Sequence, residues 1–128
     1  MNTTEIGRKG EKIAARFLKK NGYKILETNR HESHNEIDII AANREYIIFV
    51  EVKTRTVQND DLYLPYGAPA VAVDKRKQMR TVQAAQRYLS KHPAFGKQPR
   101  MDVLEIYLEK SKGTVLKINH ILDAFGAR

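Results

Sequence analysis

The chain has 128 residues, no cysteine and a formal net charge of +8 at neutral pH. Its length suits a single domain over residues 1–128, and the lack of cysteine excludes disulfides and thiolate metal sites, as in a reducing cytosol. No apolar run approaches the roughly 20 residues that span a bilayer, so we expect a soluble cytoplasmic protein. The positive charge favours a polyanionic partner, but by itself it does not choose between DNA, RNA and an acidic membrane.

The first predicted element is an amphipathic helix. Thr3 or Thr4 is expected to cap it, and it should end at about Lys20, because Asn21-Gly22 is a typical C-terminal pair. Its apolar stripe consists of Ile13, Ala14, Phe17 and Leu18.

One acidic residue and two glycines lie on the inward side of this helix. Glu11 precedes Ala14 by three residues and Leu18 by seven, so it should project from the same stripe. Gly7 and Gly10 lie on that side as well, where small residues allow close helix packing. We therefore expect a carboxylate of this helix to point toward the sheet.

Strand patterns follow the helix. Residues 23–29 predict a first strand and residues 30–35 a polar loop, after which residues 35–55 form a hairpin. Residues 57–73 show no clear period, and long connections of this kind often carry function or flexibility.

A basic helix and two more strands complete the chain. Asp74 is expected to cap a helix from about Lys75 to Lys91. Its predicted buried stripe is Met79, Val82 and Leu89, and its predicted outward-facing cations include Arg76, Lys77 and Arg80. Residues 101–109 and 114–121 predict strands, and the tail is expected to be a short cap. The order αβββαββ indicates a mixed α/β (α+β) fold, a central mixed sheet flanked by helices.

The hairpin contains charged residues inside two apolar strands. A two-residue turn at Asn43-Arg44 would pair Ala42 with Glu45. Because side chains alternate between faces, this register creates one apolar face. That face holds Ile37, Ile39, Ala41, Tyr46, Ile48, Val50 and Val52. The reverse face holds Glu36, Asp38, Ile40, Ile47, Phe49, Glu51 and Lys53.

The reverse face predicts a cation site. Asp38 should lie diagonally across from Glu51, at roughly 7–8 Å between backbones, with Glu36 or Glu11 nearby. Two like charges 4 Å apart repel by roughly 4 kcal/mol at an effective dielectric constant of 20. Lys53 can offset one charge, and Mg²⁺ or Mn²⁺ suits the remaining oxygen ligands.

Two interpretations of this face remain open. The simpler one is an exposed sheet surface with an ordinary cross-strand ion pair. Against it, Ile40, Ile47 and Phe49 make the face apolar, so we expect the first helix, with Glu11, to cover it.

The ordered set of charged residues resembles the PD-(D/E)XK nuclease pattern, which has a restriction-endonuclease-like fold. The strings GRKGEKIAARFLKKNGYKIL, NEIDII, FVEVKTR, RMDVLEI and HILDAF resemble the bacterial YraN family, which is similar to archaeal Holliday junction resolvases. The resemblance implies that Asp38 and Glu51 are metal ligands and that Glu11 completes the metal shell, through water or directly. It also implies that Lys53 orients the attacking water or steadies charge on the phosphate.

These observations predict a Mg²⁺- or Mn²⁺-dependent endonuclease that hydrolyses DNA, with branched DNA such as a Holliday junction as one substrate and a homodimer as one assembly. The cations expected to grip flanking phosphates are Arg55, Lys75, Arg76, Lys77 and Arg80. Two alternatives remain: a nucleic-acid-binding protein that keeps the fold without cleaving, and an RNA-binding factor.

Overall fold

A computed structural model describes residues 1–58 and 74–126 of the chain. The elements are α1 (Thr3–Lys20), β1 (Lys24–Glu32), β2 (Asn35–Ala42), β3 (Tyr46–Val57), α2 (Lys75–Lys91), β4 (Gln98–Glu109) and β5 (Val115–Phe125). The predicted order αβββαββ and the mixed α/β class are confirmed. The greater part of the predicted irregular connection, residues 59–73, lies outside the described residues.

The five strands form one mixed sheet in chain order, β1-β2-β3-β4-β5. Neighbouring strands are antiparallel except β3 and β4, which run parallel over the whole length of β3. A parallel pair needs a long crossover, and α2 lies in the connection between these two strands.

Each helix covers one face of the sheet. The first core cluster joins α1 to the sheet through Ala14, Leu18, Ile39, Ala41, Ile48, Val50, Leu104, Ile106 and Leu108. The second joins α2 to the opposite face and includes Ile37, Ile40, Ile47, Phe49, Val82, Ala84, Ala85, Tyr88 and Val103. In the described ranges, neither helix is long and apolar enough to cross a membrane.

The N-cap of α1 is Asn2, so the prediction of Thr3 or Thr4 is wrong. The Asn2 side chain accepts a hydrogen bond from the Glu5 backbone N–H at 2.9 Å, which satisfies one of the free donors of the first turn. The C-terminal end agrees with the prediction, because Gly22 adopts a φ of 88° immediately after the Asn21 cap.

Gly10 is a point of close approach between α1 and β3. A Cβ at Gly10 would lie 1.8 Å from Thr54 Oγ1 and 2.9 Å from Thr54 Cβ, so rotation of the threonine cannot relieve the clash. A Cβ at Gly7 would meet nothing within 4 Å. The expected close-packing role therefore belongs to Gly10 and not to Gly7.

This difference gives a matched pair of helix substitutions. We expect Gly10→Ala to lower the free energy of unfolding by about 1–3 kcal/mol, because the methyl group overpacks the contact with Thr54. Gly7→Ala should raise it by up to about 1 kcal/mol, since alanine is the better helix former and nothing blocks it. Urea denaturation of both variants checks the prediction. Equal effects of the two substitutions would contradict it.

The predicted loop at residues 30–35 is mostly strand. β1 continues to Glu32, and β2 begins at Asn35 after a short turn. The polar sequence concealed the strand because its charges are paired: Glu32, only 1% exposed, accepts from Arg30 at 2.9 Å and from Lys91 at 2.8 Å. The prediction of a short cap for the tail is also wrong, since β5 extends to Phe125, which pairs with Met101.

The hairpin register differs from the predicted one by two residues. Ala42 pairs with Ile47, and not with Glu45. The reason is local: Asn43 Oδ1 accepts hydrogen bonds from the backbone N–H groups of Glu45 and Tyr46, which lengthens the turn. Because side chains alternate with a period of two, a shift by two residues keeps every residue of β3 on its predicted face.

The predicted stripe of α2 needs two corrections. The bounds Lys75–Lys91 and the Asp74 cap are confirmed. Met79, however, is 64% exposed, and the buried residues are Thr81, Val82, Ala84, Ala85 and Tyr88. Lys77 lies one helical turn before Thr81, on the inward side and not on the outer face.

Candidate active site

An opening between β2 and β3 creates the candidate site. The ladder between these strands ends at the pair Ile39 and Val50, although β3 continues beside β4 as far as Val57. Beyond the ladder, the Val52 backbone N–H donates to Asp38 Oδ2 at 2.8 Å. A side-chain carboxylate thus takes the place of a strand carbonyl, and the two strands separate around it.

Strand alternation is interrupted at the same place. Ile37 packs in the cluster beneath α2, while Ile39 packs beneath α1. The prediction that Ile37 shares a face with Ile39 and Ala41 is therefore wrong. Asp38 lies at the irregularity between them, which explains how one side chain can be influenced by groups from both layers.

The opening is a cleft of about 500 Å³ between β2, β3 and the N-terminal half of α2. Its lining residues are His34, Asn35, Glu36, Asp38, Glu51, Asp74, Arg76, Lys77, Arg80 and Thr81. Carboxylates from the sheet and cations from the helix therefore face one cavity. Such a cavity can hold a cation beside an anion.

Asp38 has the most perturbed acidity in this cleft. Burial, the charge of Glu51 and, to a smaller extent, the charge of Glu11 raise the pKa of Asp38 to about 7, against the opposing hydrogen bond from Val52. The charges of Glu11, on α1, and of Glu51, which faces α2, therefore both act on Asp38.

Glu51 is compensated by two lysines. It is 7% exposed, and its Oε1 atom lies 2.6 Å from Lys77 Nζ and 3.4 Å from Lys53 Nζ. Burial by itself lowers the pKa of Lys77, but the hydrogen bond to Glu51 and the negative charges of Glu51 and Asp38 together outweigh it and raise that pKa above its ordinary value. Lys77 is therefore charged at neutral pH.

The donor set fits a hard divalent cation with few protein ligands. In residues 1–58 and 74–126, no three His, Cys, Asp or Glu side chains are grouped closely enough to hold an ion. Asp38 and Glu51 supply two carboxylates, and Mg²⁺ typically binds one or two carboxylates together with water and phosphate oxygens. The raised pKa of Asp38 is the cost of an uncompensated negative charge, which a cation would relieve.

The structure separates the other predicted site residues. Among the expected phosphate-gripping residues, Arg76, Lys77 and Arg80 line the cleft, whereas Lys75 and Arg55 are exposed outside it. The expectation that α1 covers the acidic face is wrong, because α2 covers it. Sequence reasoning placed Lys77 on the wrong side, and the signal that could have located it is the spacing of Thr81, Ala84 and Tyr88.

The acidity of Asp38 predicts a pH-dependent stability. The folded protein keeps a proton on Asp38 up to about pH 7, while the unfolded chain releases it near pH 4. The folded state therefore binds more protons in this interval, and stability decreases as the pH rises through it. Asp38→Asn does not titrate and can still accept from Val52, so its unfolding free energy should rise by about 3 kcal/mol relative to that of the parent as the pH is raised from 4.5 to 8.

Urea unfolding of the parent and Asp38→Asn in chelator at both pH values measures this gain. A stability difference between the two proteins that is the same at pH 4.5 and pH 8 would contradict it.

The fold and the cleft define a mixed α/β domain in which a buried carboxylate, Glu51, and a half-buried one, Asp38, lie near lysines where two strands separate. The family model described as uncharacterised protein family UPF0102 matches residues 10–106. The chain belongs to this family, which confirms the resemblance to the YraN family.

Relatives in the same family cover nearly the whole chain. A UPF0102 protein of Caldanaerobacter subterraneus is 47% identical over 125 residues, which is 98% of each chain. A UPF0102 protein of Syntrophomonas wolfei is 41% identical over 94% of this chain and 97% of its own length.

Two solved structures are distantly similar. A repair endonuclease from Pyrococcus abyssi has a TM-score of 0.40 and 14% identity, over 80% of this chain and 39% of that one. An XisH family protein from Nostoc punctiforme has a TM-score of 0.40 and 11% identity, over 85% of this chain and 97% of that one.

Proposed function

We propose that this protein is a Mg²⁺- or Mn²⁺-dependent endonuclease of the PD-(D/E)XK type, which hydrolyses phosphodiester bonds in DNA. The observation that carries the proposal is the meeting of Asp38 and Glu51 in one cleft, opposite basic residues of α2. The raised pKa of Asp38 and the ammonium groups beside Glu51 support it.

Asp38 and Glu51 would hold the ion, and Glu11 would act on it through water. When bound, the cation would polarise the phosphate and lower the pKa of a water molecule. Lys53 would orient the attacking water and offset the charge that develops on the phosphate. One phosphorus–oxygen bond would form from the water oxygen as the bond to one sugar oxygen breaks. The water would give up a proton to solvent, and the departing sugar oxygen would take one up from solvent.

The basic surface would hold the nucleic acid. Arg76 and Arg80 line the cleft, and Lys75 and Arg55 lie outside it, so both near and flanking phosphates could be contacted. Such contacts supply affinity without sequence preference and weaken steeply with salt. For a branched substrate such as a Holliday junction, a two-fold homodimer would allow two symmetric cuts.

A substrate panel tests the proposed function. Purified protein is incubated with linear, flapped and four-way DNA, and with RNA of the same sequence, in Mg²⁺, Mn²⁺ or chelator. We expect product from DNA only when a divalent cation is present. Absence of product from every substrate, under conditions where the protein binds DNA, would overturn the proposal.

The pairing of Glu51 with two lysines favours a second candidate, a nucleic-acid-binding protein that does not cleave. Lys53 and Lys77 already compensate the Glu51 charge without any metal. This candidate predicts salt-sensitive DNA binding that Asp38→Ala leaves intact, no product, and no rise in melting temperature on adding Mn²⁺.

A further inference from the structure

Lys77 contacts Glu51 more closely than Lys53 does. Its Nζ atom donates to Glu51 Oε1 at 2.6 Å, and Lys53 Nζ lies 3.4 Å from the same oxygen. Two ammonium groups on one carboxylate oxygen carry the charge of one divalent cation. The oxygen that Lys77 occupies belongs to one of the two carboxylates available to a metal.

The position of Lys77 in α2 is unfavourable for the helix itself. The first turn of α2 contains no acidic residue and begins with three cations, residues 75–77. A positive charge near a helix N-terminus costs about 0.3–1 kcal/mol, because the helix dipole is positive there. A sequence that breaks a local rule in this way typically does so at a functional site.

The Lys77 side chain can also reach the open part of the cleft. It is 47% exposed although its ammonium contacts the buried Glu51. A lysine has a flexible four-carbon stem and three rotatable donors. It can therefore exchange a carboxylate oxygen for a phosphate oxygen without movement of the helix.

We propose that Lys77 is an active-site residue, whose ammonium holds Glu51 in the metal-free protein, leaves it when a divalent cation binds, and then contacts the phosphate in the cleft. The inference rests on the proposed function and adds a second lysine, beside Lys53, to the groups that act at the metal and the phosphate. The proposal gives this role to Lys77 and not to Lys75, which lies in the same helical turn but is exposed outside the cleft.

The test compares Lys77→Gln with Lys75→Gln, which removes the same charge from the same turn. Mn²⁺ affinity is measured by titration calorimetry at fixed pH and ionic strength, and cleavage by single-turnover kinetics at saturating protein. Lys77→Gln should bind Mn²⁺ about fivefold or more tightly, because a competing cation is gone. It should nevertheless cleave at least about tenfold more slowly, because a donor to the phosphate is lost.

Lys75→Gln removes a proposed flanking phosphate contact, so it should weaken DNA binding and lower its salt dependence by about one phosphate contact. Its Mn²⁺ affinity should stay within about twofold of that of the parent, because Lys75 is exposed outside the cleft. Lys77→Arg keeps the charge, so its Mn²⁺ affinity should stay near that of the parent. Opposite changes in metal affinity and cleavage rate would not arise from a merely structural role or from a flanking phosphate contact.

The outcomes separate this inference from the proposed function. Unchanged Mn²⁺ affinity in Lys77→Gln, with cleavage still present in the parent, overturns the role of Lys77 and leaves the nuclease assignment standing. A parent that binds no Mn²⁺ overturns both. A parent that binds Mn²⁺ but cuts none of the substrates overturns the nuclease assignment and the contact of Lys77 with a reacting phosphate.

Discussion

Replacing Glu51 by glutamine is expected to lower the proposed metal-dependent cleavage by about a thousandfold, because the amide keeps the shape of the side chain but removes one of the two charged ligands proposed for the metal. The same change should weaken Mn²⁺ binding, since Asp38 alone remains of the pair. Single-turnover cleavage and titration calorimetry measure the two effects. The loss of charge also leaves Lys53 and Lys77 without their shared carboxylate. Circular dichroism of the variant should therefore accompany both measurements, to check that it is folded.

Glu36→Gln is the matched control for this substitution. Glu36 lines the same cleft, but its side chain is 42% exposed and its ion-pair partner is the exposed His31, at 3.7 Å. We expect a change in cleavage of no more than a few fold, because exposed pairs contribute about 0–1 kcal/mol. If Glu51→Gln cleaves as fast as Glu36→Gln, the carboxylate pair is not the catalytic site.

Replacing Asp102 by asparagine is expected to cost about 3–5 kcal/mol of unfolding free energy, the largest effect on stability predicted here. Asp102 is fully buried, and Arg100 donates two hydrogen bonds to it at 2.8 Å. His120 Nε2 lies 2.8 Å from the same carboxylate, and the Asp123 backbone N–H donates to it at 3.0 Å. The amide would leave a buried guanidinium without its counter-charge.

Asp102, Arg100 and His120 form a cluster that connects β4 and β5. Arg100 also donates to the Tyr23 hydroxyl at 2.7 Å and lies 4.4 Å from the Tyr46 ring centre. One side chain thus joins β4 to the connection between α1 and β1 and to the start of β3. The melting temperature of Asp102→Asn should therefore fall by about 10 °C or more. Glu36→Gln again serves as control, with an expected change within about 0.5 kcal/mol.

The pH dependence of this effect follows from the acidity of Asp102. Burial by itself raises the pKa of Asp102, but hydrogen bonds from His120 and Arg100 outweigh it, and the pKa lies below its ordinary value. The contribution of Asp102 is therefore complete at neutral pH and is lost as the pH falls through this lowered pKa. The unfolding free energies of parent and Asp102→Asn should converge in acid. A gap that persists unchanged at low pH would show that packing, and not charge, accounts for the loss.

The order of elements and the acidic pair were both accessible from the sequence. The period of two in the hairpin predicts Asp38 in one strand and Glu51 in the next, with both side chains on the same side of the sheet. A shift of the strand pairing by two residues does not change that side. Asp38 and Glu51 therefore line one cleft although the predicted register is wrong. The hydrogen bonds of Asn43 shift the pairing by two residues, and Glu51 keeps its predicted face. The Asp74 cap and the bounds of α2 were equally local, since capping depends on neighbouring residues.

In polar segments, the sequence pattern did not predict strands or buried charges that depend on partners far away in the chain. The extension of β1 to Glu32 depends on Arg30 and on Lys91, which is 59 residues away in the chain. Asp102 is similar: the pattern assigned it no role, because Arg100 is near in sequence but His120 and Asp123 come from another strand. Burial of a charge becomes tolerable only when such partners arrive together.

The sequence by itself determined a mixed α/β domain with carboxylates of two adjacent strands facing a common side, because strand and helix periods are local properties of the chain. Only the tertiary structure decided that α2 and not α1 covers that side, that the strands separate at Asp38, and that Lys77 reaches Glu51. These features depend on where the connection between β3 and β4 places a helix, and no periodicity along the chain encodes that choice.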